Sequence, residues 1–200
     1  MNYIYADHAA TTATSAAARE AMNDCMENFY GNPSSLHTVG QKAAEKLWES
    51  REIMAKYLHA KPEEIYFTSG GSEADNQALL TAAMIGKKKG KKHIISTAFE
   101  HHAVLHSLKR LEKEGFEVTL LPVHEDGIVR LEDLKDAIRE DTVCVSVMYA
   151  NNEIGTIQPI AEIGALCREK GILFHTDAVQ AAGRLDIDVV KENIDFLALS

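Results

Sequence analysis

Four short segments place polar or ionisable side chains where an apolar run stops. In GILFHTDAVQ (171–180) a β-like run ends on Asp177, with Gln180 three places on. FEHHAVLHSL (99–108) puts His101 between a strand and the first turn of a helix. YANNEIGTIQPI (149–160) ends a strand on the two amides Asn151 and Asn152. FTSGGSEADN (67–76) ends one on Gly70 and Gly71, with Ser72 as the expected N-cap and Glu73, Ala74 and Asp75 in the first helical turn.

Ligands of an open α/β sheet bind at the carboxyl ends of its strands, so an acid at such a tip faces a cation or solvent. At a helix start the dipole disfavours an imidazolium, and His101 is expected to be neutral at pH 7. Its ring could stack on a flat ligand, exchange protons or simply cap the helix. The amides of Asn151 and Asn152 could serve their own turn or point into a site. Free N–H groups after Gly70 and Gly71, with the helix dipole behind them, suit a phosphate. The same residues also make an ordinary capped strand-to-helix turn, and the two acids beside it weaken the phosphate reading. Together, His101, Asn152 and Asp177 with Gln180 suggest a flat, phosphorylated, partly cationic ligand.

Other patterns carry less. His102 and His106 have metal-ligand spacing on a helix, but Ala103 stands where a zinc protease needs Glu. No G-x-G-x-x-G fingerprint follows a strand, which argues against a nicotinamide dehydrogenase. GKKKGKK (86–92) spaces its glycines too closely for a P-loop and reads as a solvated helix end. Cys25, Cys144 and Cys167 form neither a disulfide framework nor a zinc pattern.

These residues need a scaffold, and the hydrophobic pattern supplies one. Strand-like runs at 65–69, 93–98, 118–123, 142–150, 171–178 and 196–200 alternate with helical spacing at 72–89, 101–114, 131–139 and 160–170. Such alternation predicts an α/β fold, a mostly parallel sheet flanked by helices with right-handed crossovers. Residues 1–60 read as an N-terminal arm with a short strand at 3–7 and helices near 15–28 and 41–58. Residues 61–200 read as the main domain. The 200 residues carry a net charge of −9, which disfavours nucleic acid and anionic membranes as partners. The longest strongly apolar stretch is too short to span a bilayer, and the N-terminus lacks a signal-peptide pattern. A reducing, cytoplasmic setting without a structural metal is expected.

In order along nearly the whole chain, DHAATT (7–12), GNPSSLH (31–37), FTSGGSEADN, EHHAV (100–104), NNEIG (151–155) and HTDAVQ (175–180) resemble the cysteine desulfurases of the NifS/IscS type. These are class-V aminotransferase-like enzymes of pyridoxal-phosphate fold type I. The resemblance implies pyridoxal 5′-phosphate as cofactor and a role for each matched residue. Asp177 would pair with the protonated ring nitrogen, and Gln180 would hydrogen-bond the phenolic oxygen. Asn152 would lie near that oxygen and the substrate. His101 would stack on the ring and move protons as a catalytic residue. Gly71 and Ser72 would cradle the phosphate, with Ser72 where the family usually has Thr, and Ser200 would match a phosphate-binding serine.

The resemblance also implies the reaction. L-cysteine would yield L-alanine, with the sulfur leaving as an enzyme persulfide for an iron–sulfur scaffold or another acceptor protein. The enzyme would be a homodimer. The family's cofactor-linking lysine and persulfide cysteine match no residue here. The chain therefore reads as the N-terminal portion of a longer enzyme, inactive by itself. Selenocysteine lysis, another class-V reaction, or a non-catalytic remnant are the alternatives.

Overall fold

The computed structural model describes residues 3–200. The chain divides into two compact units, Met1–Tyr66 and Phe67–Ser200.

The first unit is helical. Helix α1 (Ala16–Asn28) starts at Ser15, whose hydroxyl oxygen accepts the Ala18 N–H at 3.2 Å. Helix α2 (Thr38–Leu58) starts at His37, whose Nδ1 accepts from the Gly40 N–H at 3.3 Å. It stops at His59 in the left-handed region. The strands expected at 3–7 and 65–69 do not form. Tyr3, Ile4, Tyr66 and Phe67 are exposed, and an apolar run with no neighbouring strand to pair with has no ladder to join.

The second unit is an α/β layer structure. Five parallel strands, β1 (His93–Thr97), β2 (Glu117–Leu121), β3 (Thr142–Ser146), β4 (Leu173–Asp177) and β5 (Phe196–Ala198), stand in the order β2-β1-β3-β4-β5. Helices α3 (Gly71–Lys88), α4 (His102–Lys113), α5 (Leu131–Ala137) and α6 (Ile160–Lys170) connect or precede them. The central strands β1 and β3 are buried along their whole length, as continuous apolar runs in a covered parallel sheet should be. Around them Leu79, Ala82 and Ala83 of α3, Val104, Leu108 and Leu111 of α4, and Ile94, Val143 and Cys144 of the sheet form one core.

Strand β4 shows how the two faces divide the work. Side chains alternate across a strand, so Leu173, His175 and Asp177 share one face and Phe174 and Thr176 the other. Helix α3 packs on β3, β4 and β5, and α6 packs on β4. At the α6 contact a Cβ added to Gly164 would lie 1.8 Å from the Glu192 carbonyl oxygen and 3.3 Å from the Phe174 ring. Gly164→Ala is therefore expected to destabilise the protein by about 1–3 kcal/mol through overpacking, read as a lower midpoint in urea at unchanged slope.

The strand order also contains a switch point. After β1 the chain turns outward to β2, and after β3 it turns the other way, toward β4. The two connections diverge between β1 and β3, which is where an open α/β sheet leaves room for a ligand.

Candidate functional site

Each residue given a cofactor or catalytic role from the sequence lies at or beyond the carboxyl end of a strand or at the start of α3, all in the second unit. Gly71 and Ser72 open α3, His101 precedes α4, and Asn152 follows β3. Asp177 is the last residue of β4, Gln180 comes three later, and Ser200 lies two beyond β5. The lysines of GKKKGKK sit at the opposite edge, where β1 begins; Lys91 there donates to the Thr142 carbonyl.

Asp177 is 6% exposed, and its Oδ1 accepts one hydrogen bond, 3.0 Å from the Val179 N–H. No lysine or arginine among the described residues pairs with it. Burial first, and the neighbouring Asp75 carboxyl second, push its proton affinity up, against the pull of the Val179 N–H, His175 and His101. A buried acid without a fixed cation is costly, and a cationic ligand atom removes the cost.

His101 stands across from it. Asp75, His101 and Asp177 each bring one nitrogen or oxygen atom within 4.8 Å of those of the other two. The His101 ring is exposed, and its Nδ1 accepts the Ala103 N–H at 3.2 Å as the N-cap of α4. An accepting Nδ1 puts the proton of a neutral ring on Nε2. Capping and facing the site are thus compatible, because one nitrogen serves each.

The β3 turn is held by Asn151 rather than by Asn152. The Asn151 Oδ1 accepts the Glu153 and Ile154 N–H groups at 2.8 and 3.0 Å, and its amide donates to the Phe99 carbonyl at 3.3 Å. Asn151 is buried and structural, and Asn152 is half-buried beside it. The tie to Phe99 joins this turn to the one that carries His101.

Expected as a cap, Ser72 instead lies inside α3: Gly70 is the N-cap, at φ 155, and Gly71 the first helical residue. The backbone turns into the helix at Gly70, where a residue without Cβ is least strained. No side chain caps α3, so its first N–H groups point outward with the dipole behind them. A Cβ on Gly71 would lie 2.9 Å from Val179 Cγ2 and 3.6 Å from Ser200 Cβ. Gly71 and Ser200 therefore meet, although far apart in sequence. The two nearby acids part ways: Glu73 turns back to accept the Ser69 N–H at 2.6 Å, and Asp75 turns inward and is 1% exposed.

This edge fits pyridoxal phosphate: an uncapped helix start beside two serine hydroxyls for the phosphate, and a buried carboxylate for a ring cation. The Gln180 Oε1 accepts from Arg184 at 3.1 Å; of its two polar ends, only the NH₂ can donate to a phenolic oxygen. The cysteines are elsewhere. Cys144 and Cys167 are fully buried, and desolvation pushes both thiols up, that of Cys167 to about 12. Neither is a nucleophile at neutral pH.

Residues 4–200 match the aminotransferase class-V family model. The cysteine desulfurase IscS of Clostridium botulinum (strain Kyoto / Type A2) is 55% identical over 197 residues, which is 98% of this chain and 49% of that protein. A NifS-like protein of known structure superposes with a TM-score of 0.93 at 40% identity, over 97% of this chain and 54% of its own. SspA in complex with cysteine gives a TM-score of 0.91 at 39% identity, over 97% of this chain and 56% of that one. The chain spans about half the length of the curated relatives it matches.

Proposed function

Because this chain belongs to the class-V aminotransferase family, we propose that it carries the cofactor-holding part of a pyridoxal-phosphate-dependent cysteine desulfurase. The observation that carries the reading is the buried Asp177 carboxylate at the tip of β4, without a fixed cation and with the His101 ring across from it. When bound, the pyridoxal ring supplies a sink for the electron pair left on a substrate carbon that has lost its proton.

The protein's own groups do the rest. Asp177 would keep the ring nitrogen protonated, and His101 would stack on the ring and move a proton through Nε2. Gln180 would donate to the phenolic oxygen, with Asn152 near that oxygen and the substrate. Gly71, Ser72 and Ser200 would hold the phosphate through backbone N–H and hydroxyl donors. In the overall reaction a protein thiolate takes the sulfur of L-cysteine, forming an S–S bond as the C–S bond breaks. The carbon keeps the electron pair and gains a proton, which leaves L-alanine and an enzyme persulfide. None of the three cysteines here is assigned that thiolate.

The persulfide sulfur then passes to an iron–sulfur scaffold or another acceptor protein. We place the enzyme in the cytoplasm, where the unpaired thiols of Cys25, Cys144 and Cys167 stay reduced. No helix among the described residues is long and apolar enough to cross a membrane. A homodimer is supported by the apolar side chains the first unit leaves exposed, Ile4, Met26, Leu36 and Ile53.

The complete protein, loaded with pyridoxal phosphate and given L-cysteine and a reductant, is expected to release alanine and sulfide in equal amounts. Retention of the cofactor with no alanine formed would exclude the desulfurase. Faster turnover of L-selenocysteine than of L-cysteine would move the assignment to selenocysteine lysis.

A further inference from the structure

Asp75 has no part in the roles assigned above, yet it is buried at the same strand tip. It lies in the first turns of α3, on the face that also carries Ala78, Leu79, Ala82 and Ala83. One of its oxygens is within 4.8 Å of the nearest polar atoms of Asp177 and His101. Its Oδ1 is buried without a hydrogen-bond partner. His175 Nε2 lies 3.4 Å from it without forming a hydrogen bond, and that nitrogen has no hydrogen-bond partner either. His175 is 0% exposed and is held from its other side by Ser146, whose hydroxyl oxygen lies 2.8 Å from Nδ1.

Resting on the cofactor reading above, we infer that Asp75 is a positioning residue that acts through Asp177. Backed by His175 and Ser146, it sets a second negative charge behind the strand tip and so strengthens the site's hold on a protonated ring nitrogen. The groups facing Asp177 are few: Asp75 from α3, Glu100 and His101 from the turn before α4, and His175 from β4 itself. Of the other two carboxyls, burial pushes that of Glu100 up to about 8, so near neutral pH it is mostly an uncharged acid. Below the pH at which Glu100 ionises, that leaves Asp75 as the second source of negative field. Two desolvated carboxylates together favour a nearby cation more than one does.

The test uses the complete protein freed of cofactor and 4-deoxypyridoxine 5′-phosphate. This probe has the ring and the phosphate but no aldehyde, so its binding needs no lysine. Its ultraviolet absorbance, followed across the neutral and alkaline range, gives the pH at which the bound ring nitrogen loses its proton. Asp75→Asn is expected to lower that midpoint by about one unit, a tenfold weaker hold on the proton. Asp75→Ser is expected to do the same and covers the case in which the amide variant folds poorly. Asp177→Asn is the reference. If it lowers the midpoint and neither folded Asp75 variant does, the inference is wrong and the cofactor reading stands. If the probe fails to bind the wild-type protein, or Asp177→Asn leaves the midpoint in place, the cofactor reading falls and this inference with it.

Discussion

Asp177→Asn in the complete protein is expected to cut cysteine turnover by about a thousandfold. A carboxylate and a ring cation 4 Å apart at an effective dielectric near 20 attract by roughly 4 kcal/mol. Each 1.36 kcal/mol is a factor of ten in proton affinity or rate. An amide keeps the shape and can still accept the Val179 N–H, so the variant removes charge and little else. The ring nitrogen would then lose its proton near neutral pH, and the electron sink would weaken with it. Alanine release under saturating pyridoxal phosphate gives the rate, and fluorescence titration of the cofactor-free protein shows whether binding has fallen too. A loss of less than tenfold, with the cofactor fully bound, would mean that Asp177 serves the β4 turn and not the ring.

The second large effect concerns pH and Glu100. Its Oε1 accepts from the Thr97 hydroxyl at 2.6 Å and the Met148 N–H at 2.9 Å, while Oε2 is buried without a partner. Desolvation dominates and raises its pKa to about 8, with the Thr97 and Met148 hydrogen bonds opposing and Asp177 and Asp75 adding to the rise. The folded chain therefore keeps a proton that the unfolded chain gives up near 4.5. Stability from this group is highest below the unfolded value, falls as pH rises toward 8, and stays low above it. The expected loss is on the order of a few kcal/mol. Glu100→Gln resembles the protonated acid and has no proton to lose. Urea unfolding on the acid and alkaline sides of this window should show the wild type losing stability, and the variant losing a few kcal/mol less. Parallel pH profiles for the two proteins would mean that Glu100 is ionised in the folded state.

Much of the site was legible because strand tips announce themselves. Asp177, His101 and Asn152 each follow an apolar run, and the alternation of elements places all three at one edge of a parallel sheet. The main-domain helices also follow from their spacing, to within a few residues. The runs at 3–7 and 65–69 misled because alternation marks a surface that could pair, and says nothing of whether a neighbouring strand exists. Asp75 was visible in principle: it continues the inward face of α3 at the spacing of Ala78, Leu79 and Ala82, so helical periodicity predicts a buried acid. His175 and Ser146 were hidden because their strands are covered on both faces, which removes the polar–apolar alternation that would have marked them. Glu100 sits in a turn, where no period applies.

The polypeptide reaches the site edge at Gly71, His101, Asn152, Asp177 and Ser200, with β4 seated between β3 and β5. No single segment can grip the ligand alone, so binding competence arrives only after most of these long-range parallel pairings are made. Such pairings are slow to form during folding. On the reading proposed above, pyridoxal phosphate would act as a ligand of the finished fold alone: at a hundred times its dissociation constant it would add about 2.7 kcal/mol to the native state and nothing to the unfolded chain. On that same reading, molecules left without the cofactor would open more often, and the lifetime of the protein would shorten.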